Sequence, residues 1–113
     1  MKYNIPLSSP DITNAERKAV VEVLKTRTLS LGPKLKEFEE QFAKFAKRKY
    51  AVGVNSGTSA LHLIVRALGI GKGDEVITSP FSFIASANCI LYENARPVFV
   101  DVDERTLNID LKR

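Results

Sequence analysis

The sequence predicts an α/β fold with a mainly parallel sheet. Three observations carry that prediction. Short apolar runs with β-branched residues, Tyr50–Val54, Glu75–Thr78 and Val98–Val102, read as strands. Longer stretches with apolar residues at spacings of three and four read as amphipathic helices. The strand-like runs recur about every 24 residues, the spacing of parallel strands joined by crossover helices.

Residues 1–12 carry Pro6 and Pro10 and read as extended. Thr13-Asn14-Ala15-Glu16 reads as a capping box, with Thr13 as N-cap and Glu16 reaching back. A helix is expected from there to Lys25, with Ala19, Val20, Val23 and Leu24 on one face. Thr26–Leu31 is a connection without periodicity. Gly32-Pro33 opens a second helix, since proline fits the first helical turn, and this helix is expected to reach Lys47. Leu35, Phe38, Phe42 and Phe45 share one stripe and are expected to be ordinary core. Lys44, Lys47, Arg48 and Lys49 crowd the helix end, where cations complement the helix dipole. No aromatic interleaving or binding motif supports reading them as a nucleic-acid surface.

Tyr50–Val54 suits a strand covered on both faces. Asn55-Ser56-Gly57-Thr58-Ser59 is a small polar turn. It offers several N-cap candidates and, in Gly57, a residue able to take a positive φ. Ala60–Leu68 continues as a helix, broken by Gly69, Gly71 and Gly73, with Asp74 as a further turn residue. Glu75–Thr78 is a strand and Ser79-Pro80-Phe81-Ser82 a loop. A further helix is expected over Phe83–Glu93, holding Ile84, Ala87, Ile90 and Leu91. Asn94–Pro97 reads as a turn, Val98–Val102 as a strand, and Asp103 as the start of a loop.

Composition bounds the class. With 44% apolar and 27% charged residues, the chain of 113 reads as a soluble globular domain with a net charge of +4. No apolar run approaches the ~18 residues of a membrane span, and Met1–Pro6 has no apolar signal-peptide core. The single cysteine, Cys89, has no internal disulfide partner and reads as a small apolar filler. Together these features give a cytoplasmic expectation. His62, within Leu61-His62-Leu63, reads as a part-buried helix residue in preference to a general base. Asp101 and Asp103 read as an acidic turn at a strand end, and no metal site is expected.

In parallel sheets, ligands bind beyond the carboxyl ends of the strands. Three segments lie there: Ser56-Gly57-Thr58, Ser79–Phe83 and Asp101–Asp103. The first forms a helix N-terminus, which binds phosphate well through free backbone N–H groups. By itself it fits simple helix capping equally well, and it lacks the longer glycine-rich fingerprints of nucleotide sites. The second segment offers an aromatic face at Phe81 or Phe83. A phosphate grip beside a stacking ring suits a flat, phosphorylated aromatic cofactor.

The succession Gly32-Pro33, Phe38-Glu39, Asn55–Leu63, Gly73–Ile77, Phe83 and Pro97–Asp103 resembles the DegT/DnrJ family of sugar aminotransferases. The resemblance covers nearly the whole chain, and the order of its six blocks makes it specific. It implies the fold-type-I scaffold: a three-layer α/β/α, pyridoxal-phosphate-dependent transferase-like large domain, present here in its N-terminal part. Residues 1–33 would be an extended arm, a helix and a loop bordering the active site. Residues 34–113 would begin the cofactor-binding domain.

The resemblance also implies roles. Gly57 and Thr58 match the positions whose N–H groups, with the threonine hydroxyl, hold the phosphate of pyridoxal phosphate. Ser56 adjoins them, and Phe83 matches the aromatic that stacks on the pyridine ring. A core aromatic opening a helix is the competing reading of Phe83. The Leu29–Pro33 loop matches a segment beside the sugar-nucleotide site. The implied substrates are a nucleotide-linked keto-sugar and an amino-acid donor such as glutamate, and the implied assembly is a homodimer. The family's Schiff-base lysine matches no position here, so no catalytic residue is assigned and the 113-residue chain alone is expected to be inactive. A sugar dehydratase on the same scaffold, using pyridoxamine phosphate, and a non-catalytic binding or regulatory module are the alternatives.

Overall fold

Helix ends in this chain are set by local chemistry, and the computed structural model, which describes residues 5, 6 and 8–113, shows how. The backbone divides into two compact units, Met1–Gly53 and Val54–Arg113.

In the first unit, α1 spans Asn14–Leu24 and α2 spans Pro33–Phe45. The capping box forms as expected. Thr13 Oγ1 accepts from the Ala15 N–H at 3.1 Å, and the Glu16 carboxylate accepts the Thr13 N–H at 2.7 Å. Pro33 sits in the first turn of α2 with Gly32 as N-cap. α2 stops in a Schellman turn. Lys47 takes a left-handed φ of 52°, and the Arg48 and Lys47 N–H groups bond the Ala43 and Lys44 carbonyls at 2.8 and 3.1 Å.

Two expectations fail in and beside this unit. The aromatic stripe of α2 is not core: Phe38 and Phe42 are half-exposed and Phe45 is 85% exposed. Their rings lie against one another, centroids 5.9 and 6.5 Å apart, because no apolar layer among the described residues covers them. Tyr50–Val54 is not a strand. A strand exists only through ladder hydrogen bonds, and no described segment pairs with this one. Instead of being covered on both faces, Tyr50 and Val52 are exposed.

The second unit contains α3 (Gly57–Ala67), β1 (Glu75–Thr78), α4 (Ala85–Leu91) and β2 (Arg96–Phe99). α3 ends in a second Schellman turn: Gly69 has φ 74°, and Gly69 and Ile70 N–H groups bond the Arg66 and Val65 carbonyls at 3.0 and 3.3 Å. Gly73, at φ 101°, then leads into β1, with the Asp74 carboxylate accepting the Gly71 N–H at 2.9 Å.

β1 and β2 pair in parallel, in the register Glu75↔Arg96 to Thr78↔Phe99, with α4 as the crossover. β2 lies earlier than expected, because Arg96 and Pro97 belong to it and not to the preceding turn. The Arg96 and Val100 N–H groups bond the Asp74 and Thr78 carbonyls, both at 2.9 Å. On this alternation the Pro97 nitrogen points away from β1, so its missing N–H leaves the ladder intact. Val102 falls outside the strand and bridges Ile109 in antiparallel fashion. α4 is shorter than expected at its start, where Phe83 and Ile84 precede the helix.

Val65, Cys89, Ile90 and Ala95 form the core of this unit, with Ile70 and Val76 packed against them. Cys89 is 4% exposed, which matches its reading as an apolar filler. Among the described residues no helix is long and apolar enough to cross a membrane.

Candidate functional site

The start of α3 is assembled from side-chain hydrogen bonds. Ser56, in extended conformation, is the N-cap, and its Oγ accepts the Ser59 N–H at 3.1 Å. The Ser59 hydroxyl lies 2.9 Å from Ser56 Oγ and donates to Asn55 Oδ1 at 2.7 Å. The Ala60 N–H bonds the Ser56 carbonyl at 3.1 Å. This network uses the hydroxyls of Ser56 and Ser59 and the amides of Ser59 and Ala60. Among the described residues, the N–H groups of Gly57 and Thr58 and the Thr58 hydroxyl have no hydrogen-bond partner.

Those three donors sit at the positive end of the α3 dipole, where an anion is stabilised. Gly57 is helical and does not use the positive φ open to a glycine. A Cβ built there would meet no atom within 4 Å, so the space above it is open to a ligand. The donor set and the open approach fit a phosphate group.

Phe83 lies on the segment between β1 and α4 and is 76% exposed, so it is not a core aromatic. Phe81 is also exposed, on a turn where Ser79 Oγ accepts the Phe81 N–H at 3.0 Å. Ser56, Gly57 and Thr58 are neighbours in one turn. No hydrogen bond or ring contact among the described residues joins Phe83 to them. In the first unit, Leu29, Leu31, Gly32 and Pro33 line a cleft of about 310 Å³ with Val23 and Leu35. Leu31 in that loop has a left-handed φ of 48°, uncommon for a residue with a side chain.

The acidic turn is bound to its own backbone. Asp103 accepts N–H groups of Arg105 and Thr106 at 3.1 and 2.8 Å, and Asp101 accepts that of Val102 at 2.8 Å. The bonds from Thr106 hold the Asp103 carboxyl below its ordinary range. No group of three His, Cys, Asp or Glu among the described residues is placed to hold a metal. Lys72 sits in the Gly71–Gly73 turn, past the opposite end of α3 from Gly57.

One pairing has no signal in the sequence. His62 Nε2 lies 2.6 Å from Glu93 Oε1, 31 residues away, and the imidazole meets the edge of Tyr92 at 5.2 Å between centroids. His62 is part-buried, as expected for its place on α3.

Comparison with known proteins supplies the context for the turn. The DegT/DnrJ/EryC1/StrS aminotransferase family pattern matches residues 10–113. The chain is 53% identical over 106 residues to the spore coat polysaccharide biosynthesis protein SpsC of Bacillus subtilis, covering 94% of this chain and 27% of that protein. It superposes with a TM-score of 0.87 and 42% identity on Spr1654 of Streptococcus pneumoniae, a provisionally assigned sugar aminotransferase in its PLP form, covering 96% of this chain and 28% of that one. E. coli GDP-4-keto-6-deoxy-D-mannose-3-dehydratase, with bound hydrated PLP, matches at TM-score 0.87 and 37% identity, with 96% and 30% covered. The chain spans between 27% and 30% of the length of these three proteins. With sequence pattern, close relatives and backbone in agreement from residue 10 onward, the chain belongs to the DegT/DnrJ/EryC1/StrS aminotransferase family.

Proposed function

We propose that this sequence is the N-terminal part of a pyridoxal-phosphate-dependent aminotransferase acting on a nucleotide-linked keto-sugar, with an amino acid such as glutamate as donor. The observation that carries the reading is the set of donors at the start of α3 that have no partner among the described residues, in a chain of this family. Gly57 and Thr58 donate their N–H groups to the cofactor phosphate, and the Thr58 hydroxyl adds a third bond. Ser56 holds the turn through its cap bond to Ser59 and stands beside the phosphate without donating to it. The exposed Phe83 ring stacks on the flat face of the cofactor. When bound, pyridoxal phosphate supplies the electron sink that makes amino-group transfer possible, while the protein binds and orients it.

The rest of the reading follows the family. Residues 1–33 serve as an arm, helix and active-site loop. Residues 34–113 open a three-layer cofactor domain, and the enzyme works as a homodimer. The cleft lined by Leu29, Leu31, Gly32 and Pro33, about 310 Å³, lies at the low end of ligand-pocket volumes and is compatible with the loop bordering the sugar-nucleotide site. The 37% identity to a keto-sugar dehydratase favours one second reading, dehydration on the same scaffold.

The test is made on the family-length protein. Pyridoxal phosphate is titrated by absorbance, and a nucleotide keto-sugar is incubated with glutamate. An amino-sugar nucleotide in the mass spectrum supports the aminotransferase. A product that has lost water supports the dehydratase, and absence of a cofactor band sinks both.

A further inference from the structure

α3 presents the phosphate donors, so its placement sets where they point. The helix has one buried residue among those described, Val65, packed with Cys89, Ile90 and Ala95. Leu61, Leu63 and Ile64 of the same helix are exposed. Val65 lies two turns beyond Thr58, so the fully buried contact is remote from the N-terminal amides, and what holds the first half of α3 decides where those amides point.

The second point of attachment is polar. His62, one turn after Thr58, meets Glu93 at 2.6 Å, just beyond the end of α4. The Glu93 side chain is 17% exposed, so its carboxylate sits mostly out of water with His62 as its close partner. Arg66, one turn further along α3, approaches the same oxygen only to 3.8 Å and is 69% exposed. A carboxylate only accepts, so the imidazole proton resides on Nε2 and is donated to Glu93. The edge contact with Tyr92 fixes the ring plane.

We infer that His62 and Glu93 are positioning residues for the phosphate-binding turn. Their hydrogen bond ties the first half of α3 to the end of α4 and so holds the Gly57 and Thr58 donors in one orientation. Preorganised donors bind more tightly because less ordering remains to be done on binding. The inference rests on the phosphate reading of that turn.

The test uses the family-length protein with pyridoxal phosphate as probe. Affinity is measured by absorbance titration, and the bound phosphate is observed by phosphorus NMR. His62→Asn is too short to reach Glu93, whereas His62→Gln retains an N–H near the position of Nε2. His62→Asn is expected to weaken binding roughly tenfold and to move the phosphorus signal toward that of the free cofactor. His62→Gln is expected to restore both. Equal behaviour of the two variants, or an unchanged phosphorus signal in His62→Asn, overturns the inference. Thr58→Val separates the two levels. If it weakens binding while His62→Asn does not, only the positioning role fails. If neither weakens binding, or the unaltered protein binds no cofactor, the phosphate reading fails and takes this inference with it.

Discussion

The Glu39 carboxylate accepts the backbone N–H of Gly53 at 2.7 Å, tying α2 to the segment that follows it. The approach is close enough that a Cβ on Gly53 would lie 2.5 Å from Leu35 Cδ1. Gly53→Ala therefore forces Leu35 to move and is expected to destabilise by about 1 kcal/mol, the lower end of the overpacking range, because the clash is with a side-chain tip. Glu39→Leu removes a hydrogen bond to a charged acceptor, worth about 1.5 kcal/mol at a half-buried site, whereas Glu39→Gln keeps an acceptor and loses less. Denaturant unfolding of the three variants checks the order.

The capping box makes a pH prediction. The Thr13 hydroxyl, with backbone bonds, holds the Glu16 carboxyl below its ordinary value of 4.5. A carboxyl depressed by folding binds its proton less readily when folded. Its contribution is complete above the unfolded value and is lost as pH falls through the folded one. Thr13→Ala should raise the Glu16 midpoint in a carboxyl-carbon NMR titration and lower α1 helicity at neutral pH. An unmoved midpoint counts against the cap.

Thr58 and Ser56 should part company on mutation. Thr58→Val removes one hydroxyl that has no partner among the described residues, and cofactor binding should weaken by about 1.5–3 kcal/mol with little change in stability. Ser56→Ala removes the N-cap and should destabilise by about 1 kcal/mol, with only an indirect effect on the cofactor. Titration and thermal unfolding of both variants distinguish the roles; reversed outcomes would reassign them.

Phe83→Ala should weaken cofactor binding by about 0.5–1.5 kcal/mol and alter cofactor absorbance, the loss of one stacked face. Phe81→Ala should do much less, although its ring is as exposed. Equal effects would remove the stacking assignment.

The 113-residue chain by itself should have no transaminase activity. Borohydride trapping with pyridoxal phosphate should label no single lysine stoichiometrically, since Lys72 lies past the far end of α3 from the phosphate turn. The exposed Phe38, Phe42 and Phe45 face and the two-stranded sheet with open edges invite self-association. Light scattering should show oligomers in a concentration series. A well-protected monomer in hydrogen exchange, or one fully labelled lysine, would contradict this expectation.

Features decided within one turn of chain were legible in the sequence. Thr13 with Glu16, Pro33 in the first turn of α2 and Gly69 after α3 mark helix ends by capping geometry and allowed φ, and the structure has them in place. The family was legible too, because its blocks keep their order along the chain. Strand limits were not. β2 begins at Arg96 because β1 pairs with it there, and Tyr50–Val54 is no strand because nothing described pairs with it. At the turn, Ser56, Thr58 and Ser59 were equivalent capping candidates by residue type. Folding committed Ser56 and Ser59 to each other and to Asn55, which left Thr58 uncommitted. The His62–Glu93 bond spans 31 residues and depends on α3 lying against α4. Caps and left-handed turns are settled by local backbone energies. Ladder pairing, burial of the α2 stripe and the partner of a half-buried carboxylate depend on distant chain, so only the tertiary structure decides them.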